Sequence, residues 1–153
     1  MMKKNPIFMV GCLLFSTGLF SVELGLIGGT ITNPSHLNYG LSTSLRFLVP
    51  LVKFEFELYR QVDTEEPELP NAITAGIKFQ PKFGRFMPYA VVGISTEFKS
   101  FSLDFDEYEA FTFIGGGIHY KLIALLSIRA DLRFLNFSTH NRTRLTAGLF
   151  FHI

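Results

Sequence analysis

Apolar residues recur at every second position through most of this 153-residue chain, which is the period of a β-strand whose two faces meet different surroundings. Eight such segments follow one another, at about 22–30, 41–49, 51–60, 72–80, 88–99, 110–121, 125–136 and 143–153. No helical stripe of comparable length competes with them, and after Phe20 no apolar run approaches the ~18 residues of a membrane helix. Two kinds of connection alternate between the segments. Pro50 alone, Pro81 to Met87 around Gly84, and Leu122 to Ala124 are short. Ile31 to Gly40, Gln61 to Asn71, Ser100 to Glu109 and Phe137 to Arg142 are longer and polar, the last being the shortest of its set.

One alternating set carries Leu24, Leu41, Phe54, Ile77, Val92, Ile114, Leu132 and Leu149 with their neighbours two residues away, and none of these positions is charged. The opposite set holds Glu23, Arg46, Lys53, Glu55, Glu57, Lys78, Glu97, Arg129, Asp131, Arg133 and Arg144, five acids against six bases. Gly25, Ser42, Ser44, Gly76, Gly93, Ser95, Gly115, Gly117 and Gly148 lie on the same face. Turned toward lipid, each base would cost about 2–4 kcal/mol at the bilayer midplane. Turned inward, the balanced charges can pair, whereas an unpaired buried charge costs several kcal/mol. An eight-stranded barrel has room inside for side chains and little else. The pattern therefore predicts an all-β, eight-stranded antiparallel up-and-down transmembrane β-barrel, filled by ion pairs and not an open pore. Pairs such as Glu55 or Glu57 with Arg129 or Arg133 are expected in the lumen; a narrow channel that opens when they rearrange is one alternative. A second is the inside-out arrangement, a soluble lipocalin-like carrier with the apolar set as its core. An apolar alternation running to Ile153, longer loops at one end and a wide Phe-bearing face favour the membrane.

The segment before the first strand has three zones. Lys3 and Lys4 precede an apolar stretch, Ile7 to Phe20, followed by the small residue Ser21, the layout of a secretory signal. Residues 1–21 are accordingly expected to be a cleaved signal peptide and 22–153 the barrel. Met9-Val10-Gly11-Cys12 loosely resembles a lipoprotein cleavage box, but the apolar stretch continues past it, so Cys12 is read as a signal-peptide cysteine. The mature chain then has no cysteine and no disulfide. Without Lys3 and Lys4 the fourteen bases fall to twelve, against thirteen acids, a near-neutral balance with no electrostatic footprint for nucleic acid. Phe is abundant at 18 copies while Trp is absent. Tyr39, Tyr59 and Tyr108 at one rim and Tyr89 and Tyr120 at the other are expected to supply the aromatic girdles of a membrane barrel.

Pro88-Tyr89-Ala90-Val91-Val92-Gly93, Phe113-Ile114-Gly115-Gly116-Gly117-Ile118-His119-Tyr120, the run Leu126 to Phe134 and the terminal Leu145 to Ile153 resemble the small outer-membrane barrels of the OmpA-type transmembrane domain and OmpX-like class. The resemblance covers essentially all of the mature chain. It implies residence in the cell outer membrane, with periplasmic termini and extracellular longer loops. It also implies contact with outer-membrane lipids and lipopolysaccharide, and insertion by the barrel assembly machinery, which reads an aromatic terminal strand. Here the chain ends on Ile153, with Phe151 two positions earlier.

Candidate chemistry is sparse. Ser138-Thr139-His140-Asn141 places a hydroxyl near a base in the last loop, but its order differs from the His-x-Ser-Asn of outer-membrane deacylases. The stretch is read as a hydrated loop, with a lipid A-modifying hydrolase as the enzymatic alternative. His119 and His152 on the inward face are read as hydrogen-bonded filler and His36 as a loop residue. Asp63, Glu65, Glu66, Glu68, Asp104, Asp106, Glu107 and Glu109 would project as acidic loops, solvated or bridged by divalent cations to lipopolysaccharide. The expectation is a structural or surface-interaction protein without catalytic, cofactor or metal residues.

Overall fold

The computed structural model describes residues 20–33, 35–47, 49–62, 70–99 and 108–153. They form β1 (Phe20–Thr32), β2 (His36–Phe47), β3 (Val52–Val62), β4 (Asn71–Phe79), β5 (Phe86–Phe98), β6 (Tyr108–Ile123), β7 (Leu126–Asn136) and β8 (Asn141–His152). Each strand pairs antiparallel with its neighbour in chain order, and β8 returns to β1, so the sheet is a closed barrel. At the seam, the Val22 amide donates to the Ile153 carbonyl at 3.0 Å and the Ile153 amide donates back at 2.8 Å. Closure satisfies the backbone without leaving an edge, the condition for crossing hydrocarbon. The strands run 9 to 16 residues, enough for a tilted strand to span a bilayer core, which needs roughly 9–11.

Several strands reach further than the apolar pattern indicated. The expected loop Ile31 to Gly40 shrinks to residues 33–35, because β2 restarts at His36, which pairs with Ile31. His36 is thus a strand residue, not a loop residue. Both His36 and Asn38 are buried: they are inward positions of a continuing alternation, and inward positions in this barrel are polar. Asn33 makes the turn with a φ of 64°, a left-handed conformation that Asn adopts more readily than most residues. The connection 137–140 is one residue longer and still tight. The loop end therefore carries two tight turns and two longer connections, 63–70 and 99–107, in place of four longer loops. The opposite end, which holds Ile153 and the start of β1, has turns 48–51, 80–85 and 124–125. Gly84 there sits at φ 63°, beside the Phe83–Phe86 bridge. The acidic residues 63–68 and 104–107, Cys12 and the rest of 1–19 lie outside the described residues. β1 takes in Phe20 and Ser21, which pair with Phe47 and Arg46.

The two faces sort as the alternation requires. Leu24, Leu41, Phe54, Ile77, Val92, Ile114, Leu132 and Leu149 are exposed on the outer wall. Glu23, Lys53, Glu55, Glu57, Lys78, Arg129, Asp131, Arg133 and Arg144 are buried in the lumen. This is the reverse of a soluble carrier barrel, whose apolar residues must face inward. Phe98 is the exception on the apolar set: it is 1 % exposed, with its ring 5.9 Å from that of Tyr108.

Candidate functional site

The middle of the lumen is occupied by one charged network. Alternation aims Glu55 and Glu57 of β3 inward, and Arg129, Asp131 and Arg133 of β7 meet them from the far wall. Arg129 contacts Glu55 at 2.8 Å and Glu57 at 2.5 Å. Arg133 contacts the same two carboxylates at 2.5 and 3.0 Å and Asp131 at 2.8 Å. Arg144 of β8 adds 2.5 Å to Glu57, and Lys78 adds 3.0 Å to Glu55. All four pairings expected from the sequence thus exist at once. Each carboxylate is shared by several cations, the arrangement that offsets the desolvation of buried charge.

Glycines make the space. Across the ladder Arg133 faces Gly115, Asp131 faces Gly117, Arg129 faces Gly148 and Glu55 faces Gly76. A methyl on Gly115 would lie 2.8 Å from Arg133 Cγ, and one on Gly117 would lie 2.7 Å from the Tyr89 hydroxyl. Gly115 and Gly117, the inward members of this run, are therefore packing requirements of the network, while a methyl on the outward Gly116 would meet the Tyr89 backbone carbonyl at 2.7 Å. The barrel wall itself supplies the remaining partners. The Tyr89 hydroxyl donates to Asp131, and the Arg129, Arg133 and Arg144 guanidinium groups lie 4.4, 5.0 and 4.6 Å over Phe150, Phe113 and Tyr59. Cation–π contact is strongest where water is excluded. Tyr59 and Tyr89 are therefore lumen residues rather than girdle residues, a correction to the expected aromatic belts; Tyr39 does lie exposed on the outer wall.

A second cluster sits nearer the terminal end. Glu23 pairs with Lys53 and accepts from His152 Nδ1 at 3.2 Å. His152 Nε2 lies 2.7 Å from the Ser127 hydroxyl, which also lies 3.3 Å from His119 Nδ1. Hydroxyl, imidazole and carboxylate in that order are the elements of a nucleophile with its base and orienting group. The sequence reading missed it because Glu23, Ser127 and His152 come from three strands. Ser127 has no exposed surface, and its hydroxyl bridges two imidazoles across the inside of the wall. His119 and His152 are thus joined by hydrogen bonds through Ser127. Among the described residues no group of three His, Cys, Asp or Glu side chains is placed to hold a metal.

At the loop end the lumen closes differently. Glu97 accepts from Gln61 at 2.6 Å and lies 3.4 Å from Arg142. Beside them Val91, Phe111, Phe113, Leu135 and Phe137 form a buried apolar cluster, in which Phe111 stacks on Phe137 at 4.1 Å. In the last loop His140 stacks on Phe137, with centroids 4.6 Å apart, and bonds to Thr139 rather than to Ser138. Glu109 is exposed beside Glu97 across the β5–β6 ladder.

The outer wall holds one charge that the sequence reading passed over. The outward set of β3 continues from Leu58 to Arg60, which is exposed. Among the described strand residues of outward parity it is the charged one. Tyr39 of β2 and Asn71 of β4 stand directly opposite it on either side. Below this row an apolar groove of about 560 Å³ runs over β1 to β4, lined by Leu24, Leu41, Thr43, Phe56, Leu58 and Phe151 among others. It adjoins a smaller one of about 380 Å³ that reaches Tyr39, Arg60 and Asn71.

No family model matches the sequence, and the search of curated proteins found no match. The fold is nevertheless shared with solved barrels. The N-terminal β-barrel domain of Pseudomonas aeruginosa OprF matches with a TM-score of 0.72 at 17% identity, over 87% of this chain and 97% of that one. Neisserial surface protein A matches with a TM-score of 0.63 at 13% identity, over 86% and 96%. A de novo designed transmembrane β-barrel matches with a TM-score of 0.66 at 12% identity, over 87% and 95%. The chain has the fold of the small eight-stranded outer-membrane barrels. A designed barrel fits as well as natural ones, so the likeness carries architecture and no activity.

Proposed function

We propose that this chain is an outer-membrane barrel with a structural or surface-interaction role whose lumen is a plug. The observation that supports this most directly is the network of Glu55, Glu57, Arg129, Asp131, Arg133 and Arg144 across the middle of the barrel. A conducting path would have to separate several mutually shared ion pairs in a space that already holds them and their aromatic neighbours. The apolar outer wall supports the membrane setting, and the even strand number supports periplasmic termini with the other end outside. Lipopolysaccharide and membrane lipids are then the constant neighbours of the wall, and the barrel assembly machinery is the partner during insertion.

Planar-bilayer recording of the refolded protein tests the plug. The expected result is an absence of steady openings; reproducible conductance steps would replace this reading with a channel. Fractionation with heat-modifiable gel mobility tests the setting. Recovery in outer membranes with a mobility shift on boiling is expected, while a soluble periplasmic protein without that shift would overturn it.

A further inference from the structure

We propose that the outer wall over β1 to β4 is a binding site for a phosphate-bearing lipid, the headgroup phosphate held at Arg60 and an acyl chain laid in the groove below. The inference rests on the membrane reading above and adds a ligand class and a location to it. In a wall otherwise built to face hydrocarbon, a cation at the level of Arg60 marks where hydrocarbon gives way to headgroups. Arg60 is exposed and has no acidic partner among the described residues. A guanidinium offers planar paired donors to phosphate oxygens. The ladder places Tyr39 and Asn71 directly opposite Arg60 on its two sides, at the ~4.5–5.5 Å Cβ spacing of opposed strand residues. Three donor-bearing side chains from three strands thus stand in one row across the wall.

The groove continues from this row toward the terminal end. Leu26, Leu41 and Leu58 belong to both of its segments. From Arg60 to Phe56 is four residues of β3, roughly 13 Å of strand, so an acyl chain anchored at the headgroup row can lie along it. The depression exists because Thr43 is small between its opposed neighbours Leu24 and Phe56. With periplasmic termini, Arg60 sits at the outer leaflet, so the lipid expected here is the phosphorylated glycolipid of that leaflet, lipid A.

The test is native mass spectrometry of the refolded full barrel from detergent micelles, with lipid A carrying both phosphates, the same lipid dephosphorylated, and a diacylglycerol as probes. The expected result is one retained diphosphoryl lipid A, with both phosphate-free lipids retained about tenfold less, the scale of one lost charged contact. Arg60→Gln should lose the preference for phosphate and Arg60→Lys should keep part of it. Thr43→Phe should weaken retention of phosphorylated and dephosphorylated lipid alike, by filling the groove. Equal retention by the parent and Arg60→Gln, or displacement of the lipid by inorganic phosphate, would overturn the site. Gel mobility of each variant separates the two levels of the argument. A folded, heat-modifiable barrel that ignores lipid A refutes this site alone, and a chain that stays soluble without detergent refutes the membrane reading and the site with it.

Discussion

Arg133 and Arg60 carry the same group, one on the inner and one on the outer face of the barrel. Arg133 is 1 % exposed and shared among Glu55, Glu57 and Asp131; Arg60 is exposed with no acid beside it among the described residues. Inside, a guanidinium is tolerated because carboxylates, aromatic rings and the space opposite Gly115 are arranged around it. Outside, the same group is tolerated because it stands near the end of its strand, exposed, where water can reach it. The lesson is that charge in this protein is decided by depth and partner, and residue type alone predicts neither.

The largest effect should come from removing the inner arginine. Arg133→Met leaves Glu55, Glu57 and Asp131 short of a cation, and breaking a buried ionic cluster in this way costs about 3–5 kcal/mol. Since the chain lacks Trp, urea unfolding in lipid vesicles would be followed by circular dichroism and gel mobility. Next is a charge placed where Arg60 is not: Ile114→Lys, at a position 63% exposed on the middle of β6, should cost about 2–4 kcal/mol in the same assay. Gly115→Ala should follow at about 1–3 kcal/mol, because its methyl would sit 2.4 Å from the Leu132 carbonyl oxygen and press on Arg133 Cγ, overpacking the wall and lumen. If Gly115→Ala proves neutral, the network is looser than its contacts indicate. Smallest is Arg60→Gln, expected to change stability by no more than about 0.5 kcal/mol. A large loss there would mean that the outer arginine, too, is a structural part of the wall.

The contrast also explains what was legible in advance. Period two is a local property, so the number of strands and the sign of each face follow from the residues themselves. Strand ends were harder, because inward polar residues such as His36 and Asn38 look like loop residues until the lumen is known to be polar. Arg60 is hidden for a related reason: it continues the outward parity of Leu58 but breaks the apolar pattern by which that face is read. Tyr59 and Tyr89 were placed at the rims by their positions along the strands, yet parity turns both inward, where a hydroxyl or ring can serve the arginines. The Glu23, His152, Ser127 and His119 chain was invisible because its members sit on β1, β8, β7 and β6, and only register and closure bring them together.

By itself, then, the sequence determined an eight-stranded meander with one apolar and one charged face, since alternation is set by neighbours two residues apart. Tertiary structure alone decided which acid meets which base, which glycine stands opposite which large side chain, and that Arg60 lies beside Tyr39 and Asn71 above an apolar groove. Those facts depend on register and closure, and register is fixed only when all eight strands have committed their hydrogen bonds and the lumen has been filled.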